Sequence, residues 1–285
     1  MAISKTIVLI TGKSISVGIF IKWWASKNHI LTHLLGANSG IGYETVVALA
    51  QASPNYHVLL GTRSLEKGQK ALKEAIAADS SLEGRIEFIQ INVIDMGSIE
   101  AAKKEVERKF GKLDVLVNNA GIIVHRPDVD TLSSLREHLG TNTVGTAICT
   151  EVLEPLLRKS SNPRLINVSS DQGSIAMRLD KSGKWYKIQG NGYRVSKAAL
   201  NMLTACQKVD YEDWGCKVCA FNPGLCVTNL TGEAGREVRI QHGARDAKDA
   251  AYALVDIITG RRDADVDKFG KESGILDLDG DVLPW

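Results

Sequence analysis

The sequence predicts an α/β chain of the doubly wound kind, with a mainly parallel sheet of about seven strands and helices on both faces. Three observations carry that expectation. Short β-rich apolar runs alternate with longer segments of helical period, the mark of βαβ units whose sheet is covered on both sides. A glycine-rich stretch opens the first strong helical segment, where such folds turn from strand to helix. No Pro/Ser-rich linker, composition shift or internal repeat divides the 285 residues, so residues 1–285 read as a single domain.

Taken in order, the runs at 6–11, 57–62, 86–93, 113–117, 164–169 and 217–222 are β-branched or apolar and short enough to be strands. Between and after them, 41–52, 65–78, 98–110, 133–157, 193–214 and 247–259 repeat apolar residues at helical spacing. Crossovers joining parallel strands are right-handed, and ligands settle at the carboxyl ends of the strands.

Composition narrows the function. Hydrophobic residues make up 44% and charged residues 24%, ordinary for a globular protein with a full core. With 35 basic against 33 acidic residues, no basic footprint argues for nucleic acid or an anionic membrane. Lys13 and Lys22 break the N-terminal apolar stretch, so it is neither a membrane span nor a signal peptide. Cys149, Cys206, Cys216, Cys219 and Cys226 read as reduced thiols of a cytoplasmic protein. Cys216 and Cys219 have CxxC spacing, but in a strand positions i and i+3 face opposite ways, so no metal is expected.

Gly36-Ala37-Asn38-Ser39-Gly40-Ile41-Gly42 suits a loop that cradles phosphate, because glycines let the backbone approach a pyrophosphate at a helix N-terminus. About 20 residues on, where a dinucleotide-binding fold reads the adenosine ribose, stands Arg63, with no acid before Glu66. A guanidinium there suits the 2′-phosphate of NADP(H) better than the free hydroxyl of NAD(H). Further on come Asn118-Asn119-Ala120-Gly121, Asn142 in a long helix, Ser169-Ser170 at a strand end, and Tyr193-Arg194-Val195-Ser196-Lys197.

On these motifs the chain resembles the short-chain dehydrogenase/reductase family, whose marks are a TGxxxGxG loop, NNAG, a strand-end Ser and YxxxK. The resemblance spans nearly the whole chain, including Pro223-Gly224 with Thr228, which matches a PGxxxT motif. It implies a Rossmann-type fold and interconversion of a ketone or aldehyde and an alcohol by hydride transfer, with NADP(H) as cofactor. It also implies a catalytic set of Asn142, Ser170, Tyr193 and Lys197. The cofactor set it implies is Gly12, Gly36, Asn38, Ser39, Gly40, Ile41, Gly42, Arg63, Asn92, Val93, Asn119, Ala120, Gly121, Tyr193, Lys197, Pro223, Gly224 and Thr228. Ser170 is preferred to Ser169 because the family uses the second Ser; Lys197 would also hold the nicotinamide ribose, and Asn142 a proton-relaying water. Family members pair long helices like those ending near Leu157 and Trp214 into homodimers or homotetramers.

Residue chemistry supports the same assignment. Tyr193 and Lys197 are four apart, hence on one helix face. A cation ~4 Å from a phenol, at an effective dielectric of ~20, is worth ~4 kcal/mol, or roughly three pKa units, so Lys197 is expected to draw Tyr193 toward neutrality. Ser170 can donate to a substrate oxygen as charge develops.

The chain departs from the family in one large respect. Residues 13–36 separate Thr11-Gly12 from Ala37, and deleting those 24 residues restores TGANSGIG. The segment has three Lys, no acid and Trp23-Trp24. Gly12-Lys13-Ser14 can be encoded with the splice-donor sequence GTAAGT, and 31–36 can hold CTAAC and a terminal TAG, so the segment reads as a translated intron. The competing readings are a genuine insertion and a phosphate loop disabled by it, which would leave an inactive or nucleotide-sensing relative. If the segment is present, 6–11 is the preferred first strand with the insert extruded, and 29–35 the alternative, with Leu35 where the family has Thr. Asn92 replaces the usual Asp near the adenine. The stretches 171–192 and 225–244 are candidate substrate lids; the length of the former and the Pro284-Trp285 ending resemble fungal members.

Overall fold

In a computed structural model of the chain, residues 6–11, 29–124, 129–230, 232–269 and 274–285 are described. In chain order they form β1 (Thr6–Thr11), β2 (His29–Leu35), α1 (Gly40–Ala52), β3 (Tyr56–Thr62), α2 (Leu65–Ala78), β4 (Ile86–Gln90), α3 (Met96–Phe110) and β5 (Val115–Asn118). Then follow α4 (Thr131–Leu139), α5 (Gly145–Leu157), β6 (Arg164–Val168), α6 (Ile175–Leu179), α7 (Asn191–Asp210) and β7 (Lys217–Asn222). The chain ends with α8 (Gly232–Gln241), α9 (Ala247–Ile258), α10 (Asp263–Lys268), β8 (Ile275–Asp277) and β9 (Val282–Leu283).

The sheet runs β4-β3-β2-β5-β6-β7-β8-β9, parallel throughout except that β9 returns antiparallel to β8. Nine described strands replace the seven expected, because β1 and β2 are both present and the chain end adds a hairpin. Strand order reverses between β2 and β5, and the carboxyl ends open a crevice there. Two apolar layers hold the sheet. One joins Val46 and Leu49 of α1, Ala71 and Ala75 of α2, and Leu254 of α9 to the strands; the other gathers Ile99 and Val106 of α3 with Cys149 and Leu153 of α5. Cys216 lies in the second layer and Cys219 in the first, so the CxxC pair faces opposite ways, as strand geometry requires.

The expected helix over 133–157 is interrupted: α4 passes through a π-helical turn, Gly140–Val144, into α5. Such turns reaim side chains and gather at functional sites, and this one carries Asn142. Behind it runs a buried polar seam. Asn118 Nδ2 donates to Thr150 Oγ1 at 2.9 Å and to Asn167 Oδ1 at 2.8 Å, and Asn167 Nδ2 donates in turn to Thr204 and Gln207 of α7.

The first strand needs correction. The preferred arrangement, with 6–11 alone in the first position and 29–35 extruded, does not hold. β2 is a paired strand that runs directly into Gly36 and α1, keeping strand, loop and helix contiguous, and it is fixed by Leu31 N donating to Asp114 Oδ2 at 2.9 Å. Yet β1 claims the same partners. Thr6 and Ile30 both pair with Tyr56, Ile7 and Leu31 with His57, and Val8 and Thr32 with Val115. The offset is 24 residues throughout, the length of segment 13–36.

Candidate active site

The glycine-rich loop leaves β2 through Gly36, whose φ of +78° suits glycine, and enters α1 through Gly40 at +59°. Ser39, the residue before α1, makes no side-chain capping bond, so the first-turn amides keep their donors for another acceptor. The loop is braced from the next crossover: Asn119 Nδ2 donates to the Gly36 carbonyl at 3.3 Å. A Cβ on Gly42 would come within 2.7 Å of that same amide nitrogen, so Gly42 is required by packing. Thr228 covers Gly40, its Cγ2 3.0 Å from where a Cβ would stand.

At the crevice a cleft of about 390 Å³ is lined by Gly36, Asn38, Ser39, Gly40, Ile41, Arg63, Asn92, Val93, Asn119, Ala120, Gly121, Tyr193, Lys197, Pro223 and Thr228. Fifteen of the residues proposed from the motifs thus share one wall. Arg63 is exposed at the end of β3 and, among the described residues, has no ion-pair partner. Gly42 and Gly224 stand behind the wall, the latter at φ +67° against Leu278. Gly12 lies outside the described residues. A cleft that brings uncapped helix amides together with the Arg63 guanidinium, Tyr193 and Lys197 could hold a phosphorylated dinucleotide.

The reacting end is buried. Lys197 Nζ donates to the Val168 carbonyl at 2.7 Å and stands 5.8 Å from the Tyr193 ring centre. Asn142 accepts from Ile122 N at 2.8 Å and donates to Ser196 Oγ at 3.0 Å, with its Oδ1 beside Gly121 close to Lys197. Ser169 lines the cleft and gives its hydroxyl to Asn201, whereas Ser170 and Asn142 stand behind the lining, with Ser170 beside Tyr193. His138, unforeseen in the sequence, sets its ring edge-on to Tyr193 at 6.2 Å and accepts from Val124 N at 3.0 Å. Arg239 of α8 donates to the Cys226 carbonyl at 3.1 Å and contributes positive charge toward Tyr193. Neither has a motif that would reveal it, since each arrives by a lone side chain from a separate element.

The expected fall of the Tyr193 hydroxyl toward neutrality is not found. Burial pushes the Tyr193 hydroxyl up to about 12, opposed by its bond with Ser170. Burial likewise brings the Lys197 ammonium down to about 7. The expectation failed because desolvation acts on both groups, and an amine half neutral at pH 7 is a weak cation. A lysine whose folded pKa lies below its unfolded value of about 10.5 penalises the fold fully below pH 7, and the penalty fades as pH rises toward 10.5. Buried thiols such as Cys216, pushed up to about 12, act oppositely above about pH 9. Urea unfolding should therefore show stability gained between pH 7 and 8.5, and Lys197→Met should flatten that rise.

Known proteins resemble this chain along most of its length. The family model for short chain dehydrogenases matches residues 31–239. A short-chain dehydrogenase/reductase of Talaromyces stipitatus, tropE, is 31% identical over 264 residues, covering 88% of this chain and 96% of its own. The short-chain dehydrogenase anuI of Penicillium roqueforti is 36% identical over 228 residues, covering 78% and 88%. Among solved structures, the NADPH-bound carbonyl reductase from chicken fatty liver superposes with a TM-score of 0.71 at 25% identity, covering 99% of this chain and 100% of that one. Among the described residues no helix is long and apolar enough to cross a membrane. With its Rossmann-type sheet, its YxxxK helix over the crevice and fungal relatives along most of its length, the chain belongs to the short-chain dehydrogenase/reductase family.

Proposed function

We propose that the chain is an NADP(H)-dependent oxidoreductase interconverting a ketone or aldehyde and the corresponding alcohol, with Tyr193 as the proton donor. One observation carries the reading: the phosphate loop, Arg63, Tyr193 and Lys197 line a single cleft. The dinucleotide, when bound, supplies or takes up the hydride. The Gly36–Gly42 amides and Arg63 would hold its phosphates, Asn92 and Val93 its adenine end, and Lys197, beside Gly121, its nicotinamide ribose. Ser170 would orient the substrate oxygen. Tyr193, kept protonated by burial, would deliver a proton to that oxygen as negative charge grows on it. A phenol protonated at neutral pH is in the form that reduction of a carbonyl requires. NADPH titration and turnover with carbonyl compounds test this.

Arg63 sets the cofactor preference in this reading. Arg63→Ala should weaken NADPH by about 10- to 100-fold, the worth of one charge-assisted contact, and leave NADH nearly unchanged; fluorescence titration of both reads the difference. A cytoplasmic setting suits the five free thiols. Self-association is supported by Val195, Met202 and Val209, exposed at seven-residue spacing along α7. A second reading, an inactive or nucleotide-sensing relative, is favoured by one observation: β1 and β2 claim the same sheet partners, so two strands compete for the position that feeds the phosphate loop.

A further inference from the structure

The residue after Ser170 has no role in the reading above, although it is buried against the reacting end. Asp171 is only 7% exposed. Its Oδ1 accepts from the Ser170 hydroxyl at 3.1 Å, and its Oδ2 accepts from the Trp185 indole N–H at 2.8 Å. Its own amide is fixed by donation to Asn222 Oδ1 at 3.0 Å, at the end of β7. Trp185, fourteen residues on, is held from three other sides. Its carbonyl accepts from Arg178 at 3.4 Å and from Arg194 of α7 at 3.0 Å, and Lys184 lies 4.9 Å above its ring. The stretch 171–192 is therefore not loosely draped over the site; one indole pins it to one carboxylate.

Ser170 has a single proton and two acceptor positions. The Gln172 amide donates to its oxygen at 3.1 Å, and Asp171 holds the proton, so the hydroxyl is fixed before any substrate arrives and turns its proton from the carboxylate to serve a substrate oxygen. We propose, on the strength of the oxidoreductase reading, that Asp171 is a positioning residue: it holds the Ser170 proton in place until a substrate oxygen takes the bond, and couples that hydroxyl to the substrate-side loop through Trp185. A loop displaced by an ill-fitting substrate would pull Trp185 from Oδ2, loosen the carboxylate and misaim Ser170. Fit at the mouth is thereby read out at the reacting oxygen. Asp171 also adds negative charge beside Tyr193, opposing its ionisation. The charges that face this pair are Lys184, 3.9 Å from Asp171, with Arg194 and Arg178 around the loop, Arg239 from α8 and Lys197 below.

Two measurements on the full chain test the proposal. In amide and indole NMR spectra, Trp185→Phe identifies the Trp185 indole N–H signal. That signal should move in Asp171→Asn and also in Ser170→Ala, because the three groups form one chain of bonds. A signal that ignores Ser170→Ala overturns the coupling, whether or not the protein proves to be a reductase. In steady-state reduction of an ortho-quinone with NADPH, Asp171→Asn should lower kcat about tenfold, the worth of one hydrogen bond to a charge, while NADPH affinity is unchanged. The pH at which alcohol oxidation switches on should fall in the same variant, since the charge opposing Tyr193 is gone; a purely structural defect would leave that pH in place. Wild-type kcat and pH profile in Asp171→Asn would overturn the proposal. Absence of turnover in the wild type would overturn the oxidoreductase reading and leave the NMR arm to decide the positioning.

Discussion

Deleting residues 13–36 is expected to tighten NADPH binding by at least about tenfold and to raise the unfolding temperature. The affinity gain is expected because a single claimant for the central strand would hold the phosphate loop in one arrangement, where even one firmer charge-assisted bond is worth about 1.5–3 kcal/mol. In the present chain two strands 24 residues apart meet the same partners, Tyr56, His57 and Val115. Leu31 of β2 donates its amide to Asp114 Oδ2 at 2.9 Å. Deletion places Ile7 where Leu31 stands and joins Thr11-Gly12 directly to Ala37. The stability gain follows because a sheet with one claimant for its central position has no competing arrangement. Fluorescence titration with NADPH and a thermal melt of both chains measure the two effects. Equal affinity and equal melting would make the segment a tolerated insertion and sink the idea that it disturbs the cradle.

Tyr193→Phe should lower turnover by about 10²- to 10⁴-fold, the range general acid catalysis supplies, with NADPH affinity nearly unchanged. The ring remains to fill its place beside His138, and only the hydroxyl that meets Ser170 is removed. Because burial holds that hydroxyl protonated far above neutrality, wild-type reduction should lose no rate to phenol ionisation between pH 6 and 9, within the range below its value of about 12. A variant keeping most of its rate would remove Tyr193 as proton donor.

Much of this was legible because the informative residues sit at element boundaries, where backbone geometry restricts the choice. The glycine at position 36, the asparagines closing β5, the serines after β6 and the YxxxK of α7 each mark a strand end or helix start, and the cleft gathers most of them. What was not legible depends on three-dimensional burial. The sign of the Tyr193 shift turned on how dry the site is, which spacing along a helix does not report. The π-helical turn at Gly140–Val144 keeps the apolar period of its flanks, so it read as uninterrupted helix. The short helices α6, α8 and α10 are too brief, or too polar, to show a period. The choice of first strand failed because β-propensity favoured Thr6–Thr11, whereas contiguity with the phosphate loop favoured His29–Leu35.

The polar seam from Asn118 through Thr150 and Asn167 to Thr204 and Gln207 divides the molecule into a conservative half and a permissive half. Asn118 and Asn167 spend their amide donors on neighbours in other elements, so a change at either strands a partner away from water. The stretches at 171–192 and 225–244 take no part in it. Diversification aimed at a new substrate belongs in those two stretches apart from Asp171, Trp185, Thr228 and Arg239, where sequence can drift while the frame behind Lys197 and Asn142 stays in register.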